Sequence, residues 1–99
     1  MVTKTAQRLE SDLAIPPGEV LAEELKARGM TQKALAALMG RPEQAISEIV
    51  RAKKSITAET AIQLETALGP SAQFWLGLQM TYDLTLARQR TPQPGRRAP

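Results

Sequence analysis

The chain has 99 residues, 13 basic and 10 acidic side chains and a net charge of +3, which is enough for one modest core and too little for two. Cysteine and histidine are both absent, which excludes disulfides and thiol chemistry and removes the usual zinc ligands, general bases and proton switches. No stretch approaches the apolar length needed to cross a bilayer, and the N-terminus lacks a charged, then apolar, then small-residue export pattern, so no membrane association and a cytoplasmic location are expected.

Residues 1–16 read as an N-terminal arm, with at most a helical turn around Gln7 to Leu13 before Pro16-Pro17. The first helix is expected near Pro17 or Gly18, buries Val20, Leu21 and Leu25, and stops at Gly29. Thr31 is a good N-cap for the second, where Leu35, Ala36 and Met39 recur at helical spacing and Gly40 supplies the permissive backbone of its end. Pro42 fits the first turn of a third helix, which turns Ile46, Ile49 and Val50 inward and leaves Glu43, Gln44, Ser47 and Glu48 outside. Two short helices, a tight turn, a small Ala36 at the crossing and Arg51, Lys53 and Lys54 just beyond make a helix-turn-helix, which presents its second helix to the major groove of DNA.

Ser55-Ile56-Thr57 then reads as a connector ending in the N-cap Thr57. The fourth helix uses Ala61, Leu64 and Leu68 as its core face and stops at Gly69-Pro70. Ser71 caps a fifth helix that runs to about Arg90, after which TPQPGRRAP (residues 91–99) is too rich in Pro, Gly and Arg to bury anything and reads as a disordered tail. With no strand-period segment, the expected fold is all-α, five helices in one domain over residues 17–90.

The fifth helix carries more apolar surface than a small monomer needs. Phe74, Leu78 and Tyr82 form one i, i+4 row, and Leu76, Met80 and Leu84 form another. One row can close the core while the other meets a partner, and a homodimer joined through Leu76, Met80 and Leu84 follows; the alternative is that both rows pack on the first helix and the arm. Two-fold symmetry is also what places two reading helices about one DNA turn apart on an inverted repeat.

Charge is unevenly spread. Residues 31–54 carry five basic and two acidic groups, residues 55–87 carry three acidic groups and no basic one, and residues 88–99 carry four arginines. Cations grouped on one motif suit the phosphates of double-stranded DNA, although the same balance also suits a merely solvated surface. Within the motif, Gln32 is placed to reach a phosphate and brace the reading helix, and Gln44 can pair bidentately with adenine. Ser47, one turn on, suits a base edge or a phosphate. Lys33, Arg41, Lys53 and Lys54 suit the backbone, which they would bind without choosing a sequence. Catalysis finds no support: adjacent Glu23 and Glu24 point apart on a helix, and the chain lacks a glycine-rich phosphate loop, a nucleophile with a base, metal-ligand spacing and any implied cofactor.

TQKALAALMG followed by PEQAISEI resembles the phage-repressor-like group of bacterial DNA-binding domains. With PPGEVLAEELKARGMTQ upstream and KKSITAETAIQLETALGPSAQFWLGLQMTYDLTLAR downstream, the stretch from Pro17 to Arg88 resembles the HigA family of antitoxins, which pair with HigB toxins. The resemblance implies a dimeric phage-repressor-like domain that neutralises an mRNA-cleaving HigB-like toxin and represses its own operon. The chain departs from the family pattern where Glu43 and Glu48 stand on the reading helix, and where Arg41-Pro42 replaces a small apolar residue followed by Ser or Thr. Glu43 near a helix N-terminus also has a structural explanation in the helix dipole, and it is counted with the candidate DNA-facing residues. A stand-alone repressor without a toxin, and an adaptor that has lost DNA binding, are the alternatives.

Overall fold

A computed structural model describes residues 13–91. Five α-helices account for them: α1 Pro17–Arg28, α2 Gln32–Met39, α3 Glu43–Val50, α4 Ala58–Leu68 and α5 Ala72–Arg90. The helical turn expected around Gln7 to Leu13 lies outside the described residues except for Leu13, which has no regular structure, and the tail beyond Thr91 lies outside them as well.

The helix starts follow the chemistry of their caps. The hydroxyls of Thr31, Thr57 and Ser71 accept the backbone N–H of Ala34, Thr60 and Phe74, each satisfying a donor that a helix start would otherwise orphan. At α1 and α3 the residue before the helix is proline instead, extended at Pro16 and Pro42, with no side-chain cap. Pro42 therefore precedes the first turn of α3 rather than lying in it, because its ψ of 149° is incompatible with a helix.

α2 packs on α3, α1 on α3 and α5, α4 on α5, and α2 also touches α4. Leu21 and Leu25 from α1 enter the shared core with Leu35, Ala36 and Met39 from α2 and Ile46 and Ile49 from α3. Ile56, Ala61, Leu64, Leu68 and Trp75 close it from the C-terminal side. Val20 and Val50, expected inside, are half-buried at its edge.

One close approach sets the angle of α1. Gly18 is buried where the start of α1 rests on the end of α3, and a Cβ there would lie 2.6 Å from the Val50 carbonyl oxygen and overlap that of Ile49. Only glycine fits this position.

α5 closes the core differently from the expected apolar rows. Its inward row is Trp75, fully buried, followed one turn later by the buried Gln79. Phe74 is 42% exposed and meets Trp75 edge to face, centroids 5.2 Å apart at 76°, while Leu78 and Tyr82 are half-buried. A 19-residue helix lying across a small domain can bury only the part of its surface that faces the other helices, and the bulkiest side chain takes the centre.

Candidate nucleic-acid interface

The reading unit is built on the α2–α3 corner. Gly40, at φ 67°, reverses the chain after α2, and the backbone N–H of Arg41 returns to the Ala36 carbonyl at 2.9 Å. Ala36 is buried at the crossing, where its small side chain lets the two helices approach. With Ile46 and Ile49 in the core, α3 shows Glu43 and Gln44 to solvent and holds Ser47 and Glu48 half-buried beside them.

Gln44 and Glu48 are coupled. The Gln44 Nε2 donates to Glu48 Oε2 at 3.3 Å, one helical turn away. That bond uses one amide hydrogen and leaves the other, together with Oε1, for a further partner, and these are the donor–acceptor pair a bidentate contact to adenine requires. Glu48 therefore orients a neighbour, and Glu43, in the first turn of α3, complements the positive end of the helix dipole.

The loop after α3 bunches positive charge. The N–H groups of Lys53 and Lys54 both return to the Glu48 carbonyl, at 2.8 and 3.2 Å, and Ala52 takes a left-handed conformation at φ 61° to permit it. Arg51, Lys53, Lys54 and Ser55 are all exposed on this tight return beside the end of α3. Lys33 is exposed in the first turn of α2, and Gln32 before it is half-buried.

Arg41 is placed differently from the other cations. Its guanidinium Nη1 donates to Thr60 Oγ1 at 2.8 Å and to Gln63 Oε1 at 3.4 Å, both on α4.

Two structural residues escaped sequence reasoning. Gln79, buried on α5, accepts the Ile56 N–H at 2.7 Å and donates to Asp83 at 2.9 Å, so it fastens the connector before α4 to the last helix. A polar residue one turn after a buried tryptophan was the available signal. Gly18 was the other, legible only as a glycine inside a helix where alanine would be favoured.

Beside the core, Leu76 is half-buried against it while Met80 and Leu84 on the same side of α5 are exposed, and they line an open apolar groove with Ile56, Gly77 and Ala87. A second apolar depression lies where the stub of the N-terminal arm meets the domain, between Leu13, Ile15, Val20, Leu78 and Tyr82. Among the described residues no group of acidic side chains could hold a metal ion, and no helix is long and apolar enough to cross a membrane.

The helix-turn-helix family profile matches residues 21–75. Virulence-associated protein I of Dichelobacter nodosus is 47% identical over 77 residues, 77% of this chain and 71% of that protein. Antitoxin HigA-1 of Vibrio cholerae is 40% identical over 74 residues, 74% of this chain and 70% of that protein. The structure of the Pseudomonas aeruginosa antitoxin HigA with the higBA promoter superposes with a TM-score of 0.75 at 35% identity, covering 79% of this chain and 86% of that one.

Proposed function

The chain belongs to the helix-turn-helix family and, within it, to the HigA antitoxins, and on that premise we propose that it works as a two-fold dimer that reads its own operator while neutralising an mRNA-cleaving, HigB-like toxin. The observation that carries the DNA side is the outer face of α3. It offers an oriented Gln44 amide and the Ser47 hydroxyl, with Lys53 and Lys54 at one end. Gln44 and Ser47 read base edges; Gln32, Lys33, Lys53 and Lys54 hold phosphates on either side. Glu43 stands at the start of the same face and favours a base that donates, such as cytosine through N4.

The dimer forms through Leu76, Met80 and Leu84. Exposing two large apolar side chains beside a half-buried third is costly in water, and pairing this row across a two-fold axis removes it. The same axis sets the two copies of α3 about 34–36 Å apart, one DNA turn, on an inverted repeat. The work is binding, with no catalytic step, and its place is the cytoplasm, where operator and mRNA lie.

The toxin contact is assigned to the arm, residues 1–16. Its described stub, Leu13 and Ile15, borders an apolar depression over α1 and α5. Val2 and Leu9, which lie outside the described residues, add apolar anchors in the sequence that the arginine-rich tail lacks.

Two experiments test the reading. The upstream region of the chain's own gene, titrated with the protein at low salt, should be retained at an inverted repeat and released steeply as salt rises. Failure to retain it, or any DNA from a random pool, would leave the adaptor role. Coexpression with the neighbouring small basic protein should rescue growth, and a chain beginning at Pro17 should bind DNA yet rescue poorly. Absence of a growth-inhibiting neighbour would favour the stand-alone repressor.

A further inference from the structure

We infer that Arg41 is a positioning residue for α3, holding the reading helix at its working angle by way of α4 rather than by touching the DNA backbone. The inference rests on the DNA-binding reading above and deepens it.

α3 is only eight residues long, and its N-terminal end, which carries Gln44, lacks a side-chain cap because Pro42 has none to give. Nor does α3 pack broadly on α4; a cleft lined by Arg41, Ala45, Glu48, Thr57 and Thr60 opens between them. Arg41 spans that gap. Its backbone N–H is tied to α2 through Ala36, and its Nη1 is tied to α4 through Thr60 and Gln63, 19 and 22 residues away in sequence.

The anchor is itself held. Thr60 is 3% exposed, its N–H donates to Thr57 Oγ1 at 3.2 Å, and the Thr57 hydroxyl donates to Thr60 Oγ1 at 3.1 Å. Arg41 therefore bonds to a hydroxyl fixed by the N-cap of α4, through a charge-assisted bond in a half-buried setting. A guanidinium engaged in this way acts as a bracket between the turn and α4.

Positioning and phosphate contact leave different signatures. Base contacts need donor and acceptor within a few tenths of an ångström of the right separation, so a small tilt of α3 weakens reading. The long lysines adapt to the same tilt and keep their phosphates. Loss of the bracket should lower discrimination between operators while leaving the salt dependence in place.

The test uses the full chain and its Arg41→Ala, Arg41→Lys and Thr60→Val variants, titrated by fluorescence anisotropy against the inverted repeat and single-base changes in its half-site at several salt concentrations. Each variant should lose about fivefold or more of the discrimination between the native and altered sites, with the salt slope of the wild type. Lysine should not rescue, because its ammonium sits one bond nearer the backbone than Arg41 Nη1 and stops short of the Thr60 and Gln63 oxygens. The Arg41→Ala, Thr60→Val double variant should be no worse than either single one. Thr60→Val keeps the charge of Arg41, so it decides the matter even if Arg41→Ala does not fold.

A salt slope shallower by about one per subunit with discrimination intact would make Arg41 a phosphate contact and overturn the inference, as would wild-type behaviour in Arg41→Lys. Wild-type protein that binds no DNA would bring down the DNA-binding reading and the inference with it. Wild-type binding with unchanged variants would bring down the inference alone.

Discussion

Helices α3 and α5 distribute their side chains in opposite senses. α3 buries Ile46 and Ile49 and turns Glu43 and Gln44 outward, the ordinary arrangement of a helix on the surface of a small domain. α5 buries Gln79 and Thr85 beneath a single apolar anchor, Trp75, and turns Phe74, Met80 and Leu84 outward, with Met80 60% exposed. Gln79 and Thr85 are both satisfied: Gln79 bridges Ile56 and Asp83, and the Thr85 hydroxyl donates to the Thr81 carbonyl at 2.8 Å. A polar exterior suits α3 to a hydrated, charged partner, and the exposed apolar side chains of α5, set among Gln73, Thr81 and Asp83, suit it to a second protein surface. On the proposed reading, α3 serves recognition of DNA and α5 serves assembly.

The largest effect should come from removing Trp75, the fully buried apolar side chain of α5. Trp75→Ala should cost about 3–5 kcal/mol in urea unfolding, a large share of what a domain of this size has. Trp75→Phe should cost much less, since the indole Nε1 is buried without a hydrogen-bond partner among the described residues and its loss leaves nothing unpaired. A cost for Trp75→Ala no larger than that of an ordinary surface substitution would mean that Trp75 is not the centre of the packing.

Next comes Gly18→Ala, which forces a methyl group against the carbonyls at the end of α3 and should destabilise by about 1–3 kcal/mol or more. Thermal melts would check it, and an unchanged melting temperature would contradict the close approach of α1 and α3. In an exposed helix interior the same substitution would stabilise.

On the reading side, Gln44→Ala should lose about 1–3 kcal/mol of discrimination at one base pair per half-site, while Lys53→Ala should weaken all sequences and reduce the salt slope by about one per subunit. Anisotropy titrations on the operator and its single-base variants separate the two. If Gln44→Ala weakened every site uniformly, Gln44 would be a backbone contact.

The smallest effect is a gain. Ala52 stands at φ 61°, where a side chain costs about 1–2 kcal/mol that glycine avoids, less the extra entropy glycine loses on folding. Ala52→Gly should therefore stabilise by up to about 1 kcal/mol in thermal unfolding, with DNA affinity unaltered.

What sequence could show follows from how far each signal reaches along the chain. Thr31, Thr57 and Ser71 cap residues three positions on, and the starts of α2, α4 and α5 were legible for that reason. Ile46 and Ile49 recur at helical spacing, which made the inner face of α3 legible too. The bonds that set the helices against one another are long-range. Arg41 reaches Thr60 across 19 residues and Gln79 reaches Ile56 across 23, and neither partnership has a local pattern. Charge alone points Arg41 at DNA, and its acceptors on α4 leave no local sign in the sequence. On α5, apolar spacing picked out the exposed row but missed the buried one, because that row is half polar.

α5 is the proposed joint between two reading helices. Sedimentation of the wild type and Leu84→Glu at high micromolar concentration tests it most directly. A dimeric wild type and a Leu84→Glu variant that is monomeric, helical and no longer able to bind both half-sites cooperatively is the predicted result. A wild type that stays monomeric at that concentration, or a variant that dimerises as the wild type does, would contradict it.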